Sequence, residues 1–239
     1  MKAFLFSDLH VNYRQLDNIK NYVKNEDISV IIFAGDFLNM GEPIGFARQF
    51  IQMIDGAEKP FLWVPGNNDF GRGYHLLNSR HKSLEGKVVE ADDQRFTGVG
   101  GSPASWSGQY AGESLIDKRK IGGTIFVSHV PPPGMHNLIP KDCGPSPITF
   151  CHSRLDPESH HDVRVGIMKQ VQDDRPMGRR FADAPIAHIC GHIHQRFGCT
   201  HIGITKVIKL APAELGFYAI MDLKDLSVQF KRFTENKVL

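Results

Sequence analysis

Three pieces of the first 69 residues decide the fold: KAFLFSDLH (2–10), SVIIFAGDF (29–37) and PFLWVPGNND (60–69). Each is a short apolar run, rich in β-branched or aromatic residues, that ends in a polar tip, as a strand does when it leaves a sheet. Between the first two, Leu16, Ile19, Tyr22 and Val23 recur at helical spacing over Asn12 to Glu26. Between the second and third, Phe46, Phe50, Ile51 and Ile54 share one face of a helix predicted from Pro43 to Ile54. A β-α-β-α-β order implies parallel strands joined by right-handed crossovers. SVIIFA (29–34) is almost wholly apolar, which is expected where both faces of a sheet are covered.

Further along, candidate strands crowd together: VVE (88–90), RFTGVG (95–100), GTIFVSH (123–129), PIAHIC (185–190), TKVIKLA (205–211), FYAIMDL (217–223) and SVQFKRF (227–233). The last of these have short links and read as antiparallel. The expectation is an α/β fold with two packed sheets and helices outside. Pro131 to Arg180 differs in character. Prolines at 131, 132, 133, 140, 145 and 147 precede a possible helix through Val163, Ile167 and Val171 and then a charged run. It reads as a lid-like excursion, at about 131–180, inserted into a single domain spanning 1–239.

Composition excludes several function classes. The 239 residues carry 28 Lys+Arg against 26 Asp+Glu, a net charge of +2, with 41% hydrophobic residues. That balance gives no electrostatic reason to expect a nucleic-acid or membrane partner. No run of about 18 apolar residues is present, and the opening MKAFLFSDLH is too briefly apolar for a secretory signal. A cytoplasmic protein is expected. Cys143, Cys151, Cys190 and Cys199 form no C-x-x-C pair, so reduced thiols are expected, not a zinc knuckle. The outlying count is 12 His, the side chain that titrates near neutrality and binds metals most often.

Those histidines fall where chemistry is expected. Ligand sites of open α/β sheets form at the carboxyl ends of strands, where the chain turns away and leaves a crevice. The strand ends here carry Asp8 and His10, Asp36, Asn67-Asn68-Asp69, His129, and His192 with His194. In extended backbone, residues i and i+2 point the same way, so Asp8 with His10, and His192 with His194, are expected to converge. Gly35, Gly66 and Gly191 precede polar tips and permit sharp turns. Two Asp, one Asn and four His form a mixed N/O donor set suited to borderline divalent metals such as Mn²⁺, Fe²⁺ or Zn²⁺. Seven donors exceed one ion's needs and suit two ions sharing a carboxylate.

These blocks resemble the calcineurin-like metallophosphoesterases, whose pattern runs D-x-H, G-D-x-x, G-N-H-D/E, a lone His, then G-H-x-H. The counterparts are Asp8-Leu9-His10, Gly35-Asp36-Phe37-Leu38, Gly66-Asn67-Asn68-Asp69, His129 and Gly191-His192-Ile193-His194. The match runs from residue 4 to about 195, and SHVPPP (128–133) and GVGGS (98–102) are similar to small bacterial and archaeal members. The resemblance implies a four-layer α-β-β-α sandwich of two mixed sheets flanked by helices. It implies that Asp8, His10 and His194 hold one metal, that Asn67, His129 and His192 hold the second, and that Asp36 bridges them. It implies a dinuclear phosphohydrolase in which a metal-bridging hydroxide attacks phosphorus directly, with manganese first among the candidate ions and iron, zinc or nickel as others.

One position departs from the pattern. The family's third block carries a His that orients phosphate and helps protonate the leaving oxygen; here Asn68 stands there. An amide donates a hydrogen bond but cannot deliver a proton near pH 7. Either substrates carry good leaving groups, or His75, His136, His152, His160 or His161 reaches in. The leading expectation is a phosphodiesterase acting on a small-molecule or nucleotide phosphodiester, with Asn68 and Asp36 as its catalytic residues. The alternatives are a phosphomonoesterase or protein phosphatase, a nuclease using Arg175, Arg179 and Arg180, and a non-catalytic metal-binding module. Trp106, Tyr110 and Phe150 are candidates to stack on a substrate ring. His81, His188 and His201 are expected to pack or face water.

Overall fold

Strands form here where apolar side chains find partners on both faces. The structure, a computed structural model, describes residues 1–40, 44–101, 121–132, 184–195 and 197–233. β1 (Lys2–Phe6), α1 (Tyr13–Asn25), β2 (Val30–Phe33), α2 (Ile44–Ala57) and β3 (Phe61–Trp63) follow in the expected order. The strands pair in parallel, with Phe4 opposite Ile31 and Ile32 opposite Leu62. Side chains alternate across β1: Phe4 and Phe6 pack under the helices with Leu16, Ile19, Phe46 and Phe50. Ala3 and Leu5 face the other way, toward Phe96, Val127 and Ile189 of a second sheet. Each apolar run is therefore continuous because it serves two cores at once.

α3 (Gly71–Arg80), β4 (Val88–Ala91), β5 (Gln94–Val99), β6 (Ile125–Ser128), β7 (Ala187–Cys190), β8 (Gly198–Ile202), β9 (Thr205–Lys209), β10 (Phe217–Asp222) and β11 (Val228–Arg232) complete the described elements. The sheets run β11-β10-β1-β2-β3 and β4-β5-β6-β7-β9-β8. Both are mixed and they pack face to face, as expected. β10 and β11 join the first sheet antiparallel. β9 departs from the antiparallel expectation: it pairs in parallel with β7 and antiparallel only with β8. Neither β8 nor α3 was legible in the sequence, and α2 runs on past Ile54 to Ala57. The three described helices all cover the outer face of the first sheet, where the 22 buried residues of that cluster include Leu77 of α3.

The predicted excursion lies outside the described residues from 133 onward. So do Cys143, Cys151, Trp106, Tyr110, Phe150, His136, His152, His160, His161, Arg175, Arg179 and Arg180. Cys190 and Cys199 are buried. Among the described residues, no helix is long and apolar enough to cross a membrane.

Candidate metal centre

The loops after β1, β2, β3, β6 and β7 meet at one edge. The first two are laced by backbone bonds from Asp8 N to Gly35 O (2.8 Å) and from His10 N to Asp36 O (3.1 Å). Asp69 ties the second loop to the third, its buried carboxylate accepting from Asp36 N at 2.7 Å, Gly66 N at 2.8 Å and Leu38 N at 3.0 Å. Burial and the charge of Asp36 push the Asp69 carboxyl up to about 7. Gly66 and Gly191 are small because side chains sit against them: a Cβ on Gly66 would collide with the Asp36 side chain, and one on Gly191 would collide with the Ser7 side chain and lie 2.7 Å from Asp8 Oδ2.

The convergence of donors rests on unusual backbone. Asp8, His10, Asp36 and His192 adopt positive φ of 55°, 44°, 63° and 70°. Extended alternation therefore does not aim Asp8 beside His10, or His192 beside His194. Left-handed turns do, and such strain persists only where the surroundings over-determine it.

Two clusters result. Asp8, His10 and His194 form one, and Asp36, His129 and His192 the other, each with its donor atoms within 4.8 Å of one another. In the second, His129 Nε2 lies 2.9 Å from Asn67 Oδ1, 3.1 Å from His192 Nδ1 and 3.3 Å from Asp36 Oδ2. In the first, His10 Nε2 and His194 Nε2 are 3.3 Å apart, with His194 Nε2 3.4 Å from Asp8 Oδ1. Asp36 Oδ2 reaches toward both, 3.9 Å from His10 Nε2 and 3.3 Å from His129 Nε2.

The far ring nitrogens show what these donors fit. His129 Nδ1 contacts the Ala34 carbonyl at 2.8 Å, and a carbonyl can only accept. His129 therefore carries its proton on Nδ1, and its Nε2 lone pair faces two acceptor oxygens, Asn67 Oδ1 and Asp36 Oδ2, and the ring nitrogen His192 Nδ1. Asn39 donates through Nδ2 to His10 O, so its Oδ1 accepts from His10 Nδ1 at 2.9 Å. Glu214 Oε1 lies 3.1 Å from His194 Nδ1. His10 and His194 thus turn their Nε2 lone pairs on each other, and His129 turns its own on the Asn67 and Asp36 oxygens, a crowding of acceptors that a cation relieves. Without metal the cation is a proton. Burial alone would lower His129, but Asp36 and Asp8 push it up to about 9. Burial likewise opposes His194, but hydrogen bonds and charge from Asp8 and Glu214 push it up to about 10. Burial and the neighbouring His129 push His192 down to about 4. Burial works against the Asp8 charge, yet His194 and His129 hold its carboxyl well below the usual range.

Asn68 is spent on Asp36. Its backbone N–H donates to Asp36 Oδ1 and its side-chain Nδ2 to Asp36 Oδ2, both at 2.8 Å. His75, the one described candidate to replace the absent acid, is exposed on α3 with its ring against Tyr74. Of the remaining histidines, His81 contacts Asp55 and His201 is exposed. Asn39, the Ala34 carbonyl and Glu214 were not foreseen. They back the imidazoles from outside the ligand spacing, so no periodicity marks them.

Comparisons place this geometry. A curated protein of Methanocaldococcus jannaschii, described as uncharacterized, is 26% identical over 206 residues, 82% of this chain and 81% of its own length. A crystal structure from Thermus thermophilus is similar at 13% identity and TM-score 0.64, covering 97% of this chain and 98% of that one. A dimetal phosphatase from Danio rerio is similar at 12% identity and TM-score 0.59, covering 98% and 99%. An archaeal phosphodiesterase is similar at 14% identity and TM-score 0.54, covering 98% and 100%. These likenesses show a shared fold. The match of residues 1–196 to the model of calcineurin-like phosphoesterases goes further, and by it the chain belongs to that family, the metal-dependent phosphoester hydrolases.

Proposed function

We propose that this hydrolase cleaves phosphodiesters of small molecules or nucleotides at a dinuclear centre. Asp8, His10 and His194 would hold one divalent ion and Asn67, His129 and His192 the other, with Asp36 between them. Manganese is the first candidate, since the donors mix imidazole nitrogen with carboxylate and amide oxygen. Two such ions, when bound, supply Lewis acidity, lowering the pKa of water and offsetting charge on a phosphoryl group. The observation that carries the reading is the turning of three Nε2 lone pairs onto crowded acceptors, each fixed by an acceptor on its far nitrogen.

The protein's own groups support a diester. Asn68 holds both oxygens of Asp36 and offers no proton, so a leaving group that departs readily as an anion fits best. Tyr13 at the start of α1, Met40 on the segment after β2 and Phe70 on the loop after β3 are exposed large apolar side chains. They are candidates to meet the organic arms of a diester. A phosphomonoester has only one such arm.

The test is turnover of bis(p-nitrophenyl) phosphate and p-nitrophenyl phosphate with Mn²⁺, with Asp36→Asn as control. Metal-dependent turnover favouring the diester, lost in the control, is expected. Preference for the monoester would move the assignment to a phosphatase, and no turnover of either would leave a metal-binding module.

A further inference from the structure

We propose that Glu214 is a positioning residue of the metal centre, turning His194 so that its Nε2 completes the donor set of Asp8 and His10. This rests on the metal-centre reading above. Glu214 lies beyond residues 1–196, the part that matches the family model, so the family pattern does not point to it.

The backbone places Glu214 before its side chain acts. A short 3-10 turn, Ala213–Leu215, follows Pro212 and closes at Gly216, whose φ is 86°. Pro212 bridges to Ser7, the residue before Asp8. Ala213 N donates to Ser7 O at 2.8 Å, and Glu214 N donates to Asp8 O at 2.9 Å. Asn12, which caps α1 through its Oδ1, donates its Nδ2 to Glu214 O at 2.9 Å. Both backbone polar groups of Glu214 are therefore bound within the loop that carries Asp8.

From this anchored position Glu214 Oε1 meets His194 Nδ1 at 3.1 Å. The carboxylate can only accept, so the proton sits on Nδ1 and the lone pair on Nε2. That lone pair faces His10 Nε2 at 3.3 Å and Asp8 Oδ1 at 3.4 Å. Glu214 thus joins the loop after β1 to the loop after β7 across the donor set. It also differs from the other two supports. His10 is backed by the Asn39 amide and His129 by the Ala34 carbonyl, both neutral. A carboxylate behind an imidazole raises its strength as a donor as well as fixing its ring.

The experiment titrates metal-stripped wild type, Glu214→Gln and Glu214→Ala with Mn²⁺ by calorimetry, with bound metal counted by elemental analysis. Two uptake steps are expected for wild type. Glu214→Ala should weaken one step about 10–100-fold and spare the other. Glu214→Gln keeps an acceptor without the charge and should fall between, which also controls for a folding defect. An unchanged isotherm, or equal weakening of both steps, overturns the proposal, as does a variant that only lowers the melting temperature of the metal-free protein. Wild type that takes up no Mn²⁺ overturns the metal-centre reading and this proposal with it. Two ions bound without phosphoester turnover would overturn the catalytic reading alone and leave the Glu214 test valid.

Discussion

Asn68 concentrates the chemistry at the scale of one residue. Its Nδ2 donates to Asp36 Oδ2 and its N–H to Asp36 Oδ1, so the amide acts as a clamp on the shared carboxylate. A clamp of this kind orients but supplies no proton. Asn68→His should therefore help substrates whose leaving oxygen needs protonation, by up to the ~10²–10⁴-fold typical of general acids. It should do little for p-nitrophenolate, which leaves unaided. Rates of an alkyl and an aryl phosphodiester with wild type and variant make the comparison. Equal change on both would show that proton supply does not limit this enzyme. The position was legible because a family pattern set an expectation that the sequence did not meet. Glu214 and Asn39 were not, because a side chain that backs an imidazole obeys no spacing relative to it. Asp8, His10, Asp36 and His192 were placed by strand ends, yet their aim comes from positive φ, which a residue's identity does not announce outside glycine.

At the scale of elements, the loops after β2 and β3 behave as one unit because Asp69 joins them. Three backbone N–H groups, on Asp36, Leu38 and Gly66, end on its carboxylate, and it is only 6% exposed. Asp69→Asn replaces one acceptor oxygen with an NH₂ that must face a backbone donor, either Leu38 N or the pair from Asp36 and Gly66. Leaving buried donors unpaired costs about 1–3 kcal/mol each. With the NH₂ turned to Leu38 N, where one donor is lost and not two, the variant should lose roughly 1–3 kcal/mol in urea unfolding and bind metal more weakly, because Asp36 is held by the same loop. A loss confined to metal binding would show that Asp69 serves the site and not the fold. The elements themselves were legible in proportion to their burial. VIIF of β2 is buried throughout and reads as a strand on sight. In α3, GRGYHLLNSR, only Gly73 and Leu77 are buried, so no apolar stripe rises above the glycines. β8, GCTHI, buries two residues and then turns to solvent as an edge strand, which leaves no alternation to read.

At the scale of the whole molecule, an acid response is expected from a group shifted by burial alone. His188 on β7 is 2% exposed, packs edge-on against Phe126 at 4.9 Å, and contacts Ser128 Oγ through Nε2 at 2.7 Å. Ser128 spends its own proton on Val130 O, so His188 must donate through Nε2. Its Nδ1 is buried and has no hydrogen-bond partner among the described residues. Burial alone pushes His188 down to about 3 from an ordinary 6.5. The sign follows: the unfolded chain takes up a proton below about 6.5 while the folded protein refuses it until about 3. The stabilising contribution is complete above pH 6.5 and is lost as the pH falls toward 3, by at most about 1.4 kcal/mol per pH unit. His188→Leu removes the titration and the orphaned nitrogen, and leaves Ser128 bonded to Val130. The metal-free variant should match wild type within about 1.5 kcal/mol at pH 7.5 and decline less steeply between pH 6.5 and 4.5. Urea unfolding across that range measures both slopes. Parallel slopes would mean that the second sheet admits water or a counter-charge to His188, and that acid sensitivity over this range arises instead at His192, which burial and His129 push down to about 4; the depressed carboxyls of Asp8 and Asp36 lose their contribution only at lower pH.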